Sequence, residues 1–180
     1  MAQAKRKKRF FDVSIPIIKK ETQLIAYELK DLEERIVKYD LTRILKGKGT
    51  LLQLKVKLDG EKAVAEPRTL KVLPYFLKRV IRKGTNYVED SLVLEAKDGK
   101  VKVKPLLVTR RKVSRAVRKA LREKCKEELT NYFKDKKTNE LFEEILDNKL
   151  QKNLSLKLKK IYPLSVCEMR FFKIEENKEN

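Results

Sequence analysis

Asp98-Gly99 sits between two runs of alternating polar and apolar residues, so residues 87–95 and 100–108 must either pair as a hairpin or leave two apolar faces in water. The second run, Val101-Lys-Val-Lys-Pro-Leu-Leu-Val-Thr109, breaks into Arg110-Arg111-Lys112 and then into a helix. From Val113 the apolar or small residues fall at Val113, Ala116, Val117, Ala120, Leu121 and Leu129, the spacing of a face that packs on something. Arg111, Arg115, Arg118 and Arg122 share the same spacing on another face, with Lys119 between them.

Of the thirty residues 97–126, thirteen are Lys or Arg and two are acidic, which places +11 of the chain's +20 in one stretch. Glu123 is nearly alone until Glu127 and Glu128, so the arginines lack the i, i+4 carboxylates that would pair them on the helix. A solvated charged face is the plain alternative. The excess of one sign and the arginine content favour contact with phosphate, because a row of guanidinium groups repels itself until a polyanion relieves it.

Charged residues make up 40% and hydrophobic residues 41% of 180, which describes a foldable chain with a basic surface, not a disordered polyelectrolyte. A pI near 9.9 fits a polyanionic partner, nucleic acid before anionic membrane. Cys125 and Cys167 are too far apart in sequence for a CxxC pair and suggest reduced thiols in the cytoplasm. The apolar stretch 13–18 is short and contains Pro16, so no signal peptide is expected, and no window of 18 apolar residues exists to span a membrane.

Along the chain, the expected organisation is a basic N-terminal arm at 1–21, one α+β domain at 22–174 and a polar tail at 175–180. The cations of the arm, Lys5, Arg6, Lys7, Lys8 and Arg9, should order only against RNA or DNA, or act as a nuclear localisation signal. Phe10 and Phe11 either anchor the arm to the core, the favoured reading, or stack on a base.

Residues 22–29 and 36–45 read as strands, and Asp31-Leu-Glu-Glu34 as an acidic turn or helical start. As a metal site the turn would need partners from elsewhere. Leu52, Leu54, Val56 and Leu58 alternate with polar residues in the clearest half-buried strand, and Asp59-Gly60 turns it back through 62–65. Leu73, Phe76, Leu77, Val80 and Ile81 form a helical face with Pro74 in the first turn; Lys78, Arg79, Arg82 and Lys83 lie off it. After the basic helix, Thr138 caps a helix burying Leu141, Phe142, Ile145 and Leu146. A shorter one runs through Leu154, Leu158 and Ile161 to Tyr162-Pro163, and residues 164–174 form a last strand. The fold class is α+β: a mostly antiparallel, barrel-like core flanked by amphipathic basic helices, with a C-terminal helical segment and last strand.

Catalysis has few means here. The chain has no histidine, which removes the usual neutral-pH base and the commonest metal ligand; Lys124 and Lys126 would tend to lower the Cys125 pKa, but no paired base follows. No enzyme, cofactor or small-molecule substrate is expected.

Lys97-Asp98-Gly99, the strand ending Val103-Lys104-Pro105, Thr109-Arg110-Arg111, the basic helix, and Lys159-Lys160-Ile161-Tyr162-Pro163-Leu164 with Val166 resemble, in order and spacing, the ribosomal protein S-three-A (e-S-one) family of archaea and eukaryotes. The resemblance covers about residues 22–174. It implies a barrel-like core bound to small-subunit ribosomal RNA on the platform, beside neighbouring ribosomal proteins and the messenger RNA exit. It also implies RNA contact by Arg110, Arg111 and the arginines of the following helix, and a structural corner at 161–164. The chain departs from the family pattern at Arg68-Thr69-Leu70-Lys71, in a shortened hairpin at Gly99, and in lacking the long C-terminal extension of eukaryotic members. The last suggests an archaeal-sized or reduced member. An RNA-binding module outside the ribosome, such as a chaperone or translation factor, would share the charge and the helices.

Overall fold

A computed structural model of the chain describes residues 7–60 and 62–175. It contains nine strands and four α-helices: β1 Arg9–Ile15, β2 Lys20–Ala26, β3 Ile36–Asp40, β4 Thr50–Asp59, β5 Lys62–Val72, α1 Pro74–Val80, β6 Tyr87–Glu89, β7 Leu92–Ala96, β8 Gly99–Thr109, α2 Arg115–Lys134, α3 Thr138–Leu146, α4 Lys149–Leu158 and β9 Leu164–Ile174. The strands belong to one mixed sheet ordered β2-β1-β5-β9-β8-β6, with β3 on β4, β4 on β5 and β7 on β8. The expected α+β class is observed. The hydrogen bonds among the described residues do not close the sheet into a barrel: the path ends at β2 and β6.

The described residues form two compact units. One takes the described residues up to Tyr39 with Leu52–Arg68, and the other Asp40–Leu51 with the described residues from Thr69 onward.

In the first unit, β1 and β2 pair antiparallel from Arg9↔Ala26 to Ile15↔Lys20, and β1 runs parallel to β5 at Val13↔Ala63. The inward residues are those that alternation selects: Val13 and Ile15 on β1, Leu52, Leu54 and Val56 on β4, Ala63 and Ala65 on β5. Strand β1 begins at Arg9, inside the stretch that charge alone marks as an arm. The acidic turn is a 3₁₀ helix, Leu29–Leu32, in which Glu28 N–H donates to Asp31 Oδ2 at 3.1 Å.

The second unit carries the helices. Residues 87–95 do not form one strand: Asp90-Ser91 separates β6 from β7, and both pair antiparallel with β8. Strand β8 also pairs with β9, with a register shift at Lys104/Pro105, where proline has no N–H for the ladder. Helix α2 packs on β6 and β7, and α4 on β9. Phe172 of β9 lies 4.6 Å from the Phe142 ring of α3, edge to face, and 6.1 Å from Phe133 of α2. Beyond α4, the N–H groups of Ile161 and Tyr162 both donate to the Leu158 carbonyl, a helix stop that leaves Ile161 exposed instead of on the expected apolar face. The 36–45 strand expected from sequence ends at Asp40, because Thr42 N–H and Oγ1 both donate to its carboxylate and turn the chain. That bond network holds the Asp40 carboxyl below its usual range.

Candidate nucleic-acid interface

In the second unit, two basic segments far apart in sequence are tied together by two polar side chains. Thr109, fully buried at the end of β8, receives the Asn86 N–H on its Oγ1 at 3.0 Å. Its one hydroxyl proton lies between the carbonyls of Asn86, at 2.9 Å, and Arg111, at 2.7 Å. Thr109 N–H donates to Asn86 O at 2.9 Å, and Val113 N–H donates to Asn86 Oδ1 at 2.8 Å. The Arg82-Lys83-Gly84 turn is closed by Thr85, whose Oγ1 donates to Arg82 O at 2.7 Å. Asn86 and Thr109 therefore fix the exit of the Arg82-Lys83 turn against Arg110-Arg111-Lys112. The start of α2 follows directly.

Helix α2 begins at Arg115, with Ser114 as N-cap and its Oγ accepting from Val117 N–H at 3.4 Å. The first turn holds no acidic residue. Arginine in that turn opposes the positive end of the helix dipole, which anions favour. Arg110, Arg111, Lys112, Arg115, Lys119 and Arg122 are exposed; Arg118 is half-buried, with its Nε enclosed and without a hydrogen-bond partner. Of the four arginines expected on one helical face, Arg111 lies ahead of the N-cap, in the loop. No ion pair among the described residues reaches Arg110, Arg111, Lys112, Arg115 or Arg118, whereas Lys119 lies 3.8 Å from Glu123 and Arg122 lies 3.9 Å from Asp90.

On and after α1, Lys78, Arg79, Arg82 and Lys83 are all exposed. Arg79 sits 5.2 Å from the centre of the Phe76 ring and donates from Nη2 to Gly47 O at 3.1 Å, so it is partly committed to structure. Tyr75 lies directly over Gly49, where a Cβ would fall 2.2 Å from the phenol oxygen, so any side chain there would displace the ring. In the first unit Lys7, Lys8 and Arg9 are exposed; Lys5 and Arg6 lie outside the described residues.

Sequence reasoning did not find Asn86. An asparagine in a loop carries no signal of its own, and its partner is 23 residues away. Burial of α2 also follows a longer stripe than expected, through Leu121, Cys125, Leu129 and Phe133, while Ala116 is exposed.

The flanking lysines do not activate Cys125. Burial, with the Asp90 charge adding to it, pushes its thiol up to about 12, and burial pushes Cys167 up as well. The carboxylates of the acidic turn are also engaged: Asp31 caps its own 3₁₀ helix, and Glu34 is held below its usual pKa first by a hydrogen bond from Lys55 Nζ at 2.8 Å. No group of three potential metal ligands occurs among the described residues, and none of the helices among them is long and apolar enough to cross a membrane.

The Ribosomal S3Ae family model matches residues 2–178. "Small ribosomal subunit protein eS1" of Methanothermobacter thermautotrophicus is 32% identical over 122 residues, which cover 66% of this chain and 63% of the relative. The protein of the same name from Pyrobaculum neutrophilum is 28% identical over 76% of this chain and 62% of its own length. That of Nanoarchaeum equitans is 25% identical over 94% of this chain and 90% of its own length. The chain thus spans less than two thirds of the first two relatives and most of the third. A family model matched from one end to the other, over an α+β fold with a basic α2, is decisive: the chain belongs to the ribosomal S3Ae family.

Proposed function

We propose that this chain is a structural constituent of the small ribosomal subunit and binds ribosomal RNA through the surface that Asn86 and Thr109 assemble. The observation that carries this reading is the set of cations without an ion pair among the described residues, Arg110, Arg111, Lys112, Arg115 and Arg118, at the start of a helix whose first turn lacks any acid. A phosphate there meets helix N–H groups and guanidinium groups together. Lys78, Arg82 and Lys83 extend the cationic surface, and Lys5 to Arg9 add a second contact. The names of the relatives support the small subunit as the setting. Placement on the platform near the messenger RNA exit, in the cytoplasm and among neighbouring ribosomal proteins, follows from the family resemblance. The role is architectural, with no reaction assigned.

The test is sedimentation of a tagged copy through a sucrose gradient at high salt. Retention in the small-subunit peak is the expected result. Release to the top of the gradient, with RNA binding intact, would leave a module outside the ribosome. For the purified chain, log affinity for RNA should fall with log salt at about −0.7 to −0.9 per phosphate neutralised; a flat response sinks the phosphate-driven interface.

A further inference from the structure

The two phenylalanines at the start of β1 have different fates. Strand alternation turns Phe11 inward with Val13 and Ile15, and it is half-buried; Phe10 points to the other face and is 68% exposed, the most exposed large apolar side chain among the described residues. Its orientation is not free to change. Val13 and Ile15 are fully buried, and a one-residue slip of the strand would send them to solvent.

Phe10 is not alone on that face. The β1–β2 register sets it directly opposite Ile25, which is 46% exposed, and one step further out Lys8 holds its Nζ 5.5 Å from the centre of the Tyr27 ring, also 46% exposed. Arg35 lies along the β2 edge and donates from Nη1 to Ile25 O at 2.9 Å. In the other direction the face turns polar and acidic: Asp12 accepts from Gln23 Nε2 at 3.0 Å, and Ser14 faces Glu21. The result is a graded surface with two exposed rings and a β-branched side chain at its cationic end.

From this face we infer that the outer side of the β1–β2 hairpin is a stacking platform for unpaired RNA bases, with Phe10 and Tyr27 as the rings and Lys8 and Arg35 as backbone contacts. A flat aromatic surface rimmed by cations offers a π face to any base and a charge to the adjoining phosphate, the combination that holds single strands without reading sequence. A purely apolar protein partner would not need cations on two sides of the rings. The inference rests on the reading that the partner is RNA, but it concerns a different unit of the molecule and a different kind of contact from the α2 surface.

The chain has no tryptophan, so Phe10→Trp introduces a unique fluorophore. Labelled oligouridylate, an abasic strand of equal length and an RNA duplex would be titrated with the full chain. Phe10→Ala and Tyr27→Ala should each weaken oligouridylate binding about fivefold to a hundredfold and leave the abasic strand and duplex within about twofold. Phe10→Trp should keep the affinity and lose fluorescence when the oligouridylate binds. Equal losses on all three ligands, or an unquenched Phe10→Trp, would overturn the platform. Unchanged oligouridylate affinity in Phe10→Ala, with weaker incorporation into small subunits, would assign the face to a protein neighbour and overturn it too. Wild-type chain that binds no RNA would sink the proposed function itself; wild-type binding untouched by Phe10→Ala sinks the platform alone. In assembled subunits, a photo-crosslinker at position 10 that reaches ribosomal RNA identifies a resident strand, and one that reaches only added oligouridylate identifies a transient one.

Discussion

The two halves of α2 differ in charge and in commitment: residues 115–124 hold five cations and one acid, residues 125–134 two of each. Toward its C-terminus, Leu121, Cys125, Leu129 and Phe133 are buried, and the charges satisfy one another: Lys124 reaches Glu127 at 3.0 Å and Glu128 at 3.4 Å, and Lys157 of α4 reaches Glu128 as well. Toward its N-terminus no side chain before Leu121 is fully buried, and Arg115 and Arg118 have no ion-pair partner among the described residues. One half anchors the helix to the sheet and to α4, and the other leaves Arg115 and Arg118 without an ion pair among the described residues. Lys or Arg content alone is therefore a poor guide to which charges a helix leaves unpaired; the position of nearby carboxylates is the better one.

That contrast can be broken from the anchored side first. Phe133→Ala should destabilise the fold by about 3–5 kcal/mol in a denaturant titration, because it empties a site shared with Phe172. RNA affinity of the fraction still folded should be unchanged. From the open side, Arg111, Arg115, Arg118 and Arg122 changed together to Glu should leave the circular dichroism near wild type and weaken RNA binding. The neutral version, all four to Gln, should flatten the salt slope by about three. Unfolding of the Glu variant would mean that these arginines are structural, and the two halves would no longer differ in kind.

A smaller effect probes the joint between the basic segments. Thr109→Val leaves the part-buried Asn86 N–H without its acceptor, which should cost about 1 kcal/mol of stability. RNA affinity should fall as well, although no cation is removed; unchanged affinity would mean that the joint does not position the loops.

Smallest is the Glu128 link. Hydrogen bonding from Lys157, then from Lys124, holds its carboxyl below the usual 4.5 against the opposing effect of burial. A carboxylate lowered in the folded state contributes stability above its unfolded pKa, and that contribution fades as pH falls through the folded value. Glu128→Gln should therefore lower stability near neutral pH by at most about 1 kcal/mol and reduce the acid dependence of melting between about pH 5 and 3. An unchanged pH profile would show that the pair does not hold α4 to α2.

How much of this could be read beforehand follows from the range of each signal. Leu52, Leu54 and Val56 alternate over a short window, and their burial was legible from that alone. So was the Asp98-Gly99 hairpin, where the turn residues act locally; the start of α2 was not, because the arginine spacing carried the helical face back to Arg111, ahead of the Ser114 cap. Strand β1 was hidden because the cations before it and Phe10 on its outer face mask the inward alternation. Strand β5 continues through buried Pro67 to Val72, a path that no local rule favours and that long-range pairing to β9 at Thr69–Lys71 sustains. Cys125 and Phe133 lie on the same helical stripe as Leu121 and Leu129; counting one more turn would have found them. At the candidate interface the cations were legible one by one, but which of them stay unpaired depends on where Asp90 and Glu128 come to rest.

On the proposed function, the Asn86–Thr109 joint bears on how fast the chain would engage RNA. The hydrogen bonds that shape both loops, like the β6–β8 pairing beside them, come from the chain itself and need no RNA. Capture at this surface then requires only an encounter in the right orientation, hastened by the positive field of the chain. During assembly, a protein built this way can join an RNA that is still folding and give it a fixed shape to fold against.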